Sequence, residues 1–137
     1  KGDERAISGA YAHLEHRNAK IRKVALRALT LVAEKGDERA ITAVCARLDD
    51  QNVDVRSEAA KVLTQVAEKG NEIAIIGACA CLEHEKDHVR EVAVRALAQV
   101  AEKGNQQAIT RVCAHLEHEN GNVRAAGLCA LTQVAEE

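Results

Sequence analysis

Six histidines, five cysteines and a recurring arginine are the residues of this chain best equipped for chemistry. His13 with His16, and His115 with His118, stand three residues apart, and Cys81 with His84 repeats the spacing. On a helix that interval puts two side chains on one face, which is what a metal needs from its first two ligands. A complete site needs more, and neighbouring helices of a stack lie roughly 10 Å apart, so two such pairs barely converge on one ion. Solvated histidines, or histidines hydrogen-bonded into a ladder, fit the pattern better, and no metal or other cofactor is expected. A histidine-rich edge would still make partner binding sensitive to pH below neutrality.

Arg22, Arg56, Arg90 and Arg124 recur at one fixed interval. Asp50 stands six residues before Arg56, while the matching places before the other three hold His16, His84 and His118. The guanidinium groups can instead reach Glu15, Asp49, Glu83 or Glu117, one residue earlier, which makes a structural hydrogen-bonded ladder the favoured role over capture of phosphate. Cys45, Cys79 and Cys113 share a column with Tyr11 on an apolar stripe, where small side chains serve packing. Cys81 and Cys129 fall on other faces and are the thiols expected to be exposed and reactive. No glycine-rich phosphate loop, nucleophile elbow or triad spacing is present, so no catalytic residue is assigned.

The elements that carry these residues follow from an internal repeat, the signal to look for first. Lys-Gly-(Asp/Asn) begins at Lys1, Lys35, Lys69 and Lys103, and Val-Ala-Glu closes each copy at Glu34, Glu68, Glu102 and Glu136. The frames are therefore 1–34, 35–68, 69–102 and 103–136. Ile41, Val44, Cys45 and Leu48 make an amphipathic helical stripe over about Glu38 to Asp49. A second helix starts near Asn52, carries Val55, Ala59, Val62, Leu63 and Val66, and ends at Glu68-Lys69-Gly70. Asp3, Asp37, Asn71 and Asn105 are N-cap residues, each preceded by a glycine suited to a left-handed helix end. Gly9, Gly77 and Gly127 lie inside helices, where close helix approach is the reason to accept their cost. Connections this short force antiparallel neighbours, so the expectation is an all-α, right-handed α-solenoid of about eight helices.

The string Asn52-x-x-Val55-Arg56-x-x-Ala59-x-x-x-Leu63, with Gly36-Asp37-Glu38-Arg39-Ala40-Ile41 ahead of it, resembles HEAT repeats, closest to those of the phycobilisome-lyase type. The resemblance covers residues 1–137 as one domain and departs from the family in lacking the proline after the first cap. A tetratricopeptide array of the same period would need Trp, Gly-Tyr and Pro marks that are absent. In the HEAT frame the chain opens with a second-type helix and closes with a first-type helix, each without its partner. Both ends should then expose apolar surface, as in a piece of a longer array or in molecules that self-associate end to end. The missing initiator Met points to a cut or processed chain, with boundaries that are not the natural ones.

The resemblance implies that the second helix of each hairpin lines a concave side. Its outward positions are Arg5, Gly9 and His13; Arg39, Ala43 and Arg47; Ile73, Gly77 and Cys81; and Gln107, Arg111 and His115. These vary while the core columns stay fixed, as a surface tuned to a protein partner would. Cationic residues at Arg39, Arg47 and Arg111 beside a small apolar notch suit an acidic or amphipathic segment. A net charge of −2 and a single aromatic, Tyr11, weigh against nucleic acid, which takes basic surfaces and stacking platforms. Two enzyme readings come from resemblance alone. One is a bilin-lyase-like subunit. The other is a metal-dependent HEAT enzyme like the deoxyhypusine hydroxylases, whose His-Glu pairs lie near the start of the outer helix. Here His84-Glu85 and His118-Glu119 fall in the loop leaving the inner helix instead. The odd cysteine count, the absence of a membrane-length apolar run and the lack of a signal peptide favour a reducing, cytoplasmic setting for a non-enzymatic protein.

Overall fold

Each copy of the repeat folds as one helical hairpin, and the computed structural model describes residues 2–135 of the chain. The repeat marks at Lys1 and Glu136 lie outside the described residues. The helices are α1 (Glu4–His13), α2 (Ala19–Val32), α3 (Glu38–Cys45), α4 (Val53–Val66), α5 (Glu72–Ala80), α6 (Asp87–Val100), α7 (Gln106–Ala114) and α8 (Gly121–Val134). Odd-numbered helices form one layer, here called inner, and even-numbered helices the other, here called outer. Within each frame the inner helix packs on the outer helix that follows it, and α2, α4, α6 and α8 stack in succession. The fold is an α-solenoid.

Local chemistry sets the boundaries. The side chains of Asp3, Asp37, Asn71 and Asn105 accept backbone N–H groups of the first turn of each inner helix. Gly2, Gly36, Gly70 and Gly104 all have φ between +84° and +91°, a region where a side chain is strained. Their N–H groups do not cap the helix before them, as the sequence suggests. Each donates to the last turn of the outer helix of its own frame, Gly36 to the Val66 carbonyl at 2.7 Å and Gly70 to Val100 at 2.6 Å. That bond closes the open end of the hairpin. α1 packs on α2 and α7 on α8 within their own frames.

The inner helices end earlier than the apolar stripe implies. α3 stops at Cys45, and Arg47 and Leu48 bond three residues back; Cys81–Glu83 and His115–Glu117 are full 3-10 turns. This tighter winding still delivers Leu48 and Leu82, both wholly buried, into the core. Asn18, Asn52 and Asn120 cap the outer helices, while Lys86 offers α6 no side-chain cap.

The arginine column locks the turn between the two helices of its own hairpin rather than reaching Glu15, Asp49, Glu83 or Glu117. Arg22 Nη1 donates to the His16 and Arg17 carbonyls at 2.7 and 3.1 Å, and Arg56, Arg90 and Arg124 repeat the contact with the residues six and five before them. Among the described residues, two of the four cross to the next repeat. Arg22 pairs with Asp50, and Arg56 Nε donates to His88 Nδ1 at 3.1 Å, whereas Arg90 turns onto Asp87 in its own helix. The histidines that replace Asp50 take over part of its work. Nδ1 of His16, His84 and His118 accepts the N–H two residues on at 3.0 Å, as Asp50 Oδ1 does from Asn52 at 2.9 Å.

Candidate partner-binding face

The inner layer is uneven. α3 packs on α5 and α5 on α7, but α1 packs less closely on α3. Tyr11 occupies the place where the next two repeats have Cys45 and Cys79, and it is half-buried. The Arg39 guanidinium lies 4.5 Å over that ring, a cation–π contact. The Tyr11 hydroxyl is buried without a hydrogen-bond partner among the described residues. Burial raises its pKa, the Asp37 and Glu4 carboxylates add to the rise, and the Arg39 charge opposes it.

The gap is a groove of about 600 Å³. Leu14, Ala43 and Ala46 contribute its apolar surface, Tyr11 and Ile73 flank it, and Arg39, Arg47, Glu15 and Glu38 bring charge to its edge. Arg47 is only half free, because its Nη1 reaches Asp50 Oδ2 at 3.2 Å and the Leu14 carbonyl at 3.4 Å. Arg39 is exposed. Of the residues the sequence assigns to the partner face, the structure brings Arg39, Ala43, Arg47 and Ile73 to this groove.

The others lie elsewhere. Arg5 is exposed on the first turn of α1. His13 bonds the Gly9 carbonyl through Nδ1 at 2.8 Å and stacks on His16 with centroids 6.2 Å apart. Gln107 and Arg111 sit half-buried on α7, and Arg111 Nε has no hydrogen-bond partner among the described residues. His115 Nδ1 bonds the Arg111 carbonyl at 2.8 Å. The cationic ladder read from sequence is in fact a mixed rim, since Glu15 and Glu38 share it with the two arginines. Tyr11 is the groove residue that sequence reasoning left in the core; its signal was being the one aromatic in a column of cysteines.

Two thiol assignments need correction. Cys81 is half-buried rather than exposed, and burial, reinforced by the Asp49 charge, pushes its thiol up to about 11. Cys45 rises to about 12, chiefly through burial and then through Cys81 nearby, and Cys79 to about 11 through burial despite Arg111. Cys113 leaves the buried stripe that its column implies and is exposed, as is Cys129.

The histidine pairs are poorly turned for metal. Because Nδ1 of His16, His84 and His118 accepts a backbone N–H, the neutral ring carries its proton on Nε2, which then has no lone pair to offer. No group of three or more His, Cys, Asp or Glu among the described residues is arranged to hold an ion.

A family model of HEAT repeats matches residues 7–98, more than half of the chain. The chain belongs to the HEAT-repeat family. This HEAT array is similar in fold to two engineered proteins whose crystal structures come from the Northeast Structural Genomics Consortium. One is 18% identical with a TM-score of 0.52, covering 93% of this chain and 62% of that one. The other is 24% identical with a TM-score of 0.53, covering 94% and 63%. The HEAT chain thus spans less than two thirds of the length of either. No curated protein matches it. No helix among the described residues is long and apolar enough to cross a membrane.

Proposed function

We propose that this HEAT array is a non-enzymatic scaffold, at work in a reducing cytoplasmic setting, that grips an amphipathic protein segment in the groove between α1 and α3. The groove itself carries the reading: an apolar floor set between two guanidiniums and two carboxylates. A segment that places an apolar side chain on Ala43 and Ala46 and an acid against Arg39 satisfies both surfaces, and Glu38 and Glu15 accept a basic neighbour. The same two carboxylates disfavour a phosphate backbone, which needs net positive potential. Burial of a few apolar side chains would supply the affinity, with the rim charges fixing register.

Selection from a displayed random-peptide library tests this. The expected winners carry an apolar anchor flanked by acid and lose at least tenfold in affinity against the Arg39→Glu protein. Winners that bind Arg39→Glu as well as wild type would overturn the groove assignment. Binding of random oligonucleotides that collapses with added salt, with no peptide selected, would favour nucleic acid instead.

A further inference from the structure

Four of the six histidines use a bare ring nitrogen as an acceptor. For His16, His84 and His118 the donor is a backbone N–H in the turn of the same hairpin. His88 differs, because its Nδ1 takes the Arg56 Nε–H at 3.1 Å from the repeat before it. An arginine can only donate, so this bond exists only while His88 is neutral with its proton on Nε2.

Arg56 is held in place. It is 7% exposed, and its Nη1 bonds the Asp50 and Gln51 carbonyls at 2.7 and 3.3 Å, so turning away from His88 would undo the turn of its own hairpin. A proton on His88 Nδ1 therefore sets two cations against each other, with no hydrogen bond between them, at the boundary of the second and third repeats.

Neighbouring charges do not cancel that conflict. α6 packs on α4, α5, the Cys81–Glu83 turn and α8. On α4, Glu58 is paired with Arg27; Glu83 faces His115 and His118; and Asp87 is paired with Arg90. Asp87, Glu91, Arg95 and Cys129 line the groove between α6 and α8, and Arg124 of α8 is bonded to the His118 and Glu119 carbonyls. Cys79 and Cys81 have thiols raised to about 11 and carry no charge at neutrality. Asp54, Lys61 and Glu72 are exposed, and no carboxylate among the described residues pairs with His88.

The other two joints lack this sensitivity. At the first, Arg22 meets Asp50, a carboxylate that stays ionised far below the histidine range. At the third, Arg90 turns onto its own helix.

We infer that His88 is an acid-released clasp between the second and third repeats, so that mild acid frees the first two hairpins to move against the last two. The opened chain takes up a proton that the bonded ring cannot, so the clasp holds above the histidine range and is lost as pH falls through it. It lies between α4 and α6, outside the groove between α1 and α3, and stands or falls apart from the peptide-binding reading.

Nitrogen-15 NMR of the histidine rings and guanidinium groups from about pH 8 to about pH 5 tests it, together with urea unfolding of wild type beside His88→Asn, whose Oδ1 accepts a hydrogen bond and takes no charge. At pH 8 the His88 proton should sit on Nε2 and the Arg56 Nε–H should show its bond; both signatures should vanish together in acid. The two proteins should be alike at pH 8. At pH 5 the unfolding constant of wild type should exceed that of His88→Asn at least about fivefold, with faster amide exchange in α4 and α6. His16, His84 and His118 are common to both proteins, so that difference belongs to His88. A His88 proton on Nδ1 at pH 8, an Arg56 Nε–H still bonded at pH 5, or equal acid sensitivity of the two proteins would each overturn the inference. Should His88→Asn fail to fold, the wild-type ring and guanidinium signals decide.

Discussion

Asp50 accepts both arms of the Arg22 guanidinium, from Nε and from Nη2 at 2.9 Å each, across the boundary between the first and second repeats. The same carboxylate takes the Asn52 N–H at 2.9 Å and Arg47 Nη1 at 3.2 Å, so one buried acid ties two hairpins and the edge of the groove together. Burial alone would raise its pKa. Hydrogen bonds from Arg22 and the Asn52 N–H, with the charges of Arg22 and Arg47, outweigh that and hold it below the usual carboxylate range.

Asp50→Ala should cost on the order of 3 kcal/mol, because it strands a mostly buried guanidinium. The pH dependence has a fixed sign. A carboxyl whose folded-state pKa lies below its unfolded value of about 3.9 stabilises the fold above that value and loses the contribution as pH falls through the folded value. In urea titrations the gap between wild type and Asp50→Asn should be full at pH 7 and close progressively below about pH 4. A gap that is unchanged at pH 2 would contradict the ion-pair account.

His84 substitutes for the acid in the turn but not across the repeats. His84→Ala should therefore cost only about 1 kcal/mol, the value of one backbone bond to Nδ1, and His84→Asp should recover it. Chemical denaturation of the three proteins checks this; a His84→Asp variant no better than Ala would show that the turn does not need the acceptor.

Two glycines inside helices should respond with opposite sign. Gly77→Ala drives a methyl into Cys45 Sγ and Cβ, at 2.5 and 2.8 Å, and overpacking of about 1–3 kcal/mol outweighs the helix-propensity gain. Gly9→Ala meets nothing within 4 Å and should stabilise dilute protein by up to about 1 kcal/mol. Thermal melts at low concentration read both.

Thiol labelling separates the cysteines. At pH 7.5 Cys113 and Cys129 should react promptly with an aromatic disulfide reagent, while buried Cys79 and half-buried Cys45 and Cys81, all with thiols pushed up to about 11 or 12, should react far more slowly. Mass spectrometry that finds Cys81 labelled as fast as Cys129 would refute this placement.

The periodicity made the hairpins legible, because a helix stripe such as Ile41, Val44 and Leu48 and a cap such as Asp37 act within one turn of chain. The partners of Gly36, Arg22 and Tyr11 were not legible in that way. Gly36 donates to Val66 and Arg22 to Asp50, about 30 residues along the chain, and those distances depend on how hairpins dock, which no local pattern encodes. Cys113 shows the same limit from the other side. Its column is half-buried or buried in the three copies that another repeat follows and exposed in the fourth, although the surrounding Ala-Ile-Thr-x-Val-Cys-Ala string is the same as in the second copy. At the groove, Arg39 and Ile73 were visible as outward positions. Tyr11 was not, because a ring on an apolar stripe reads as core until its place beside the groove under Arg39 is seen.

The measurement that bears most directly on the scaffold account is a nitrogen-15 NMR titration of the chain with a library-selected peptide. The account predicts shifts at Tyr11, Arg39, Ala43, Ala46 and Ile73, absent in Arg39→Glu. Shifts confined to the outer helices, at Ser57, Lys61 and Arg95, would contradict it and move the binding surface to the opposite face.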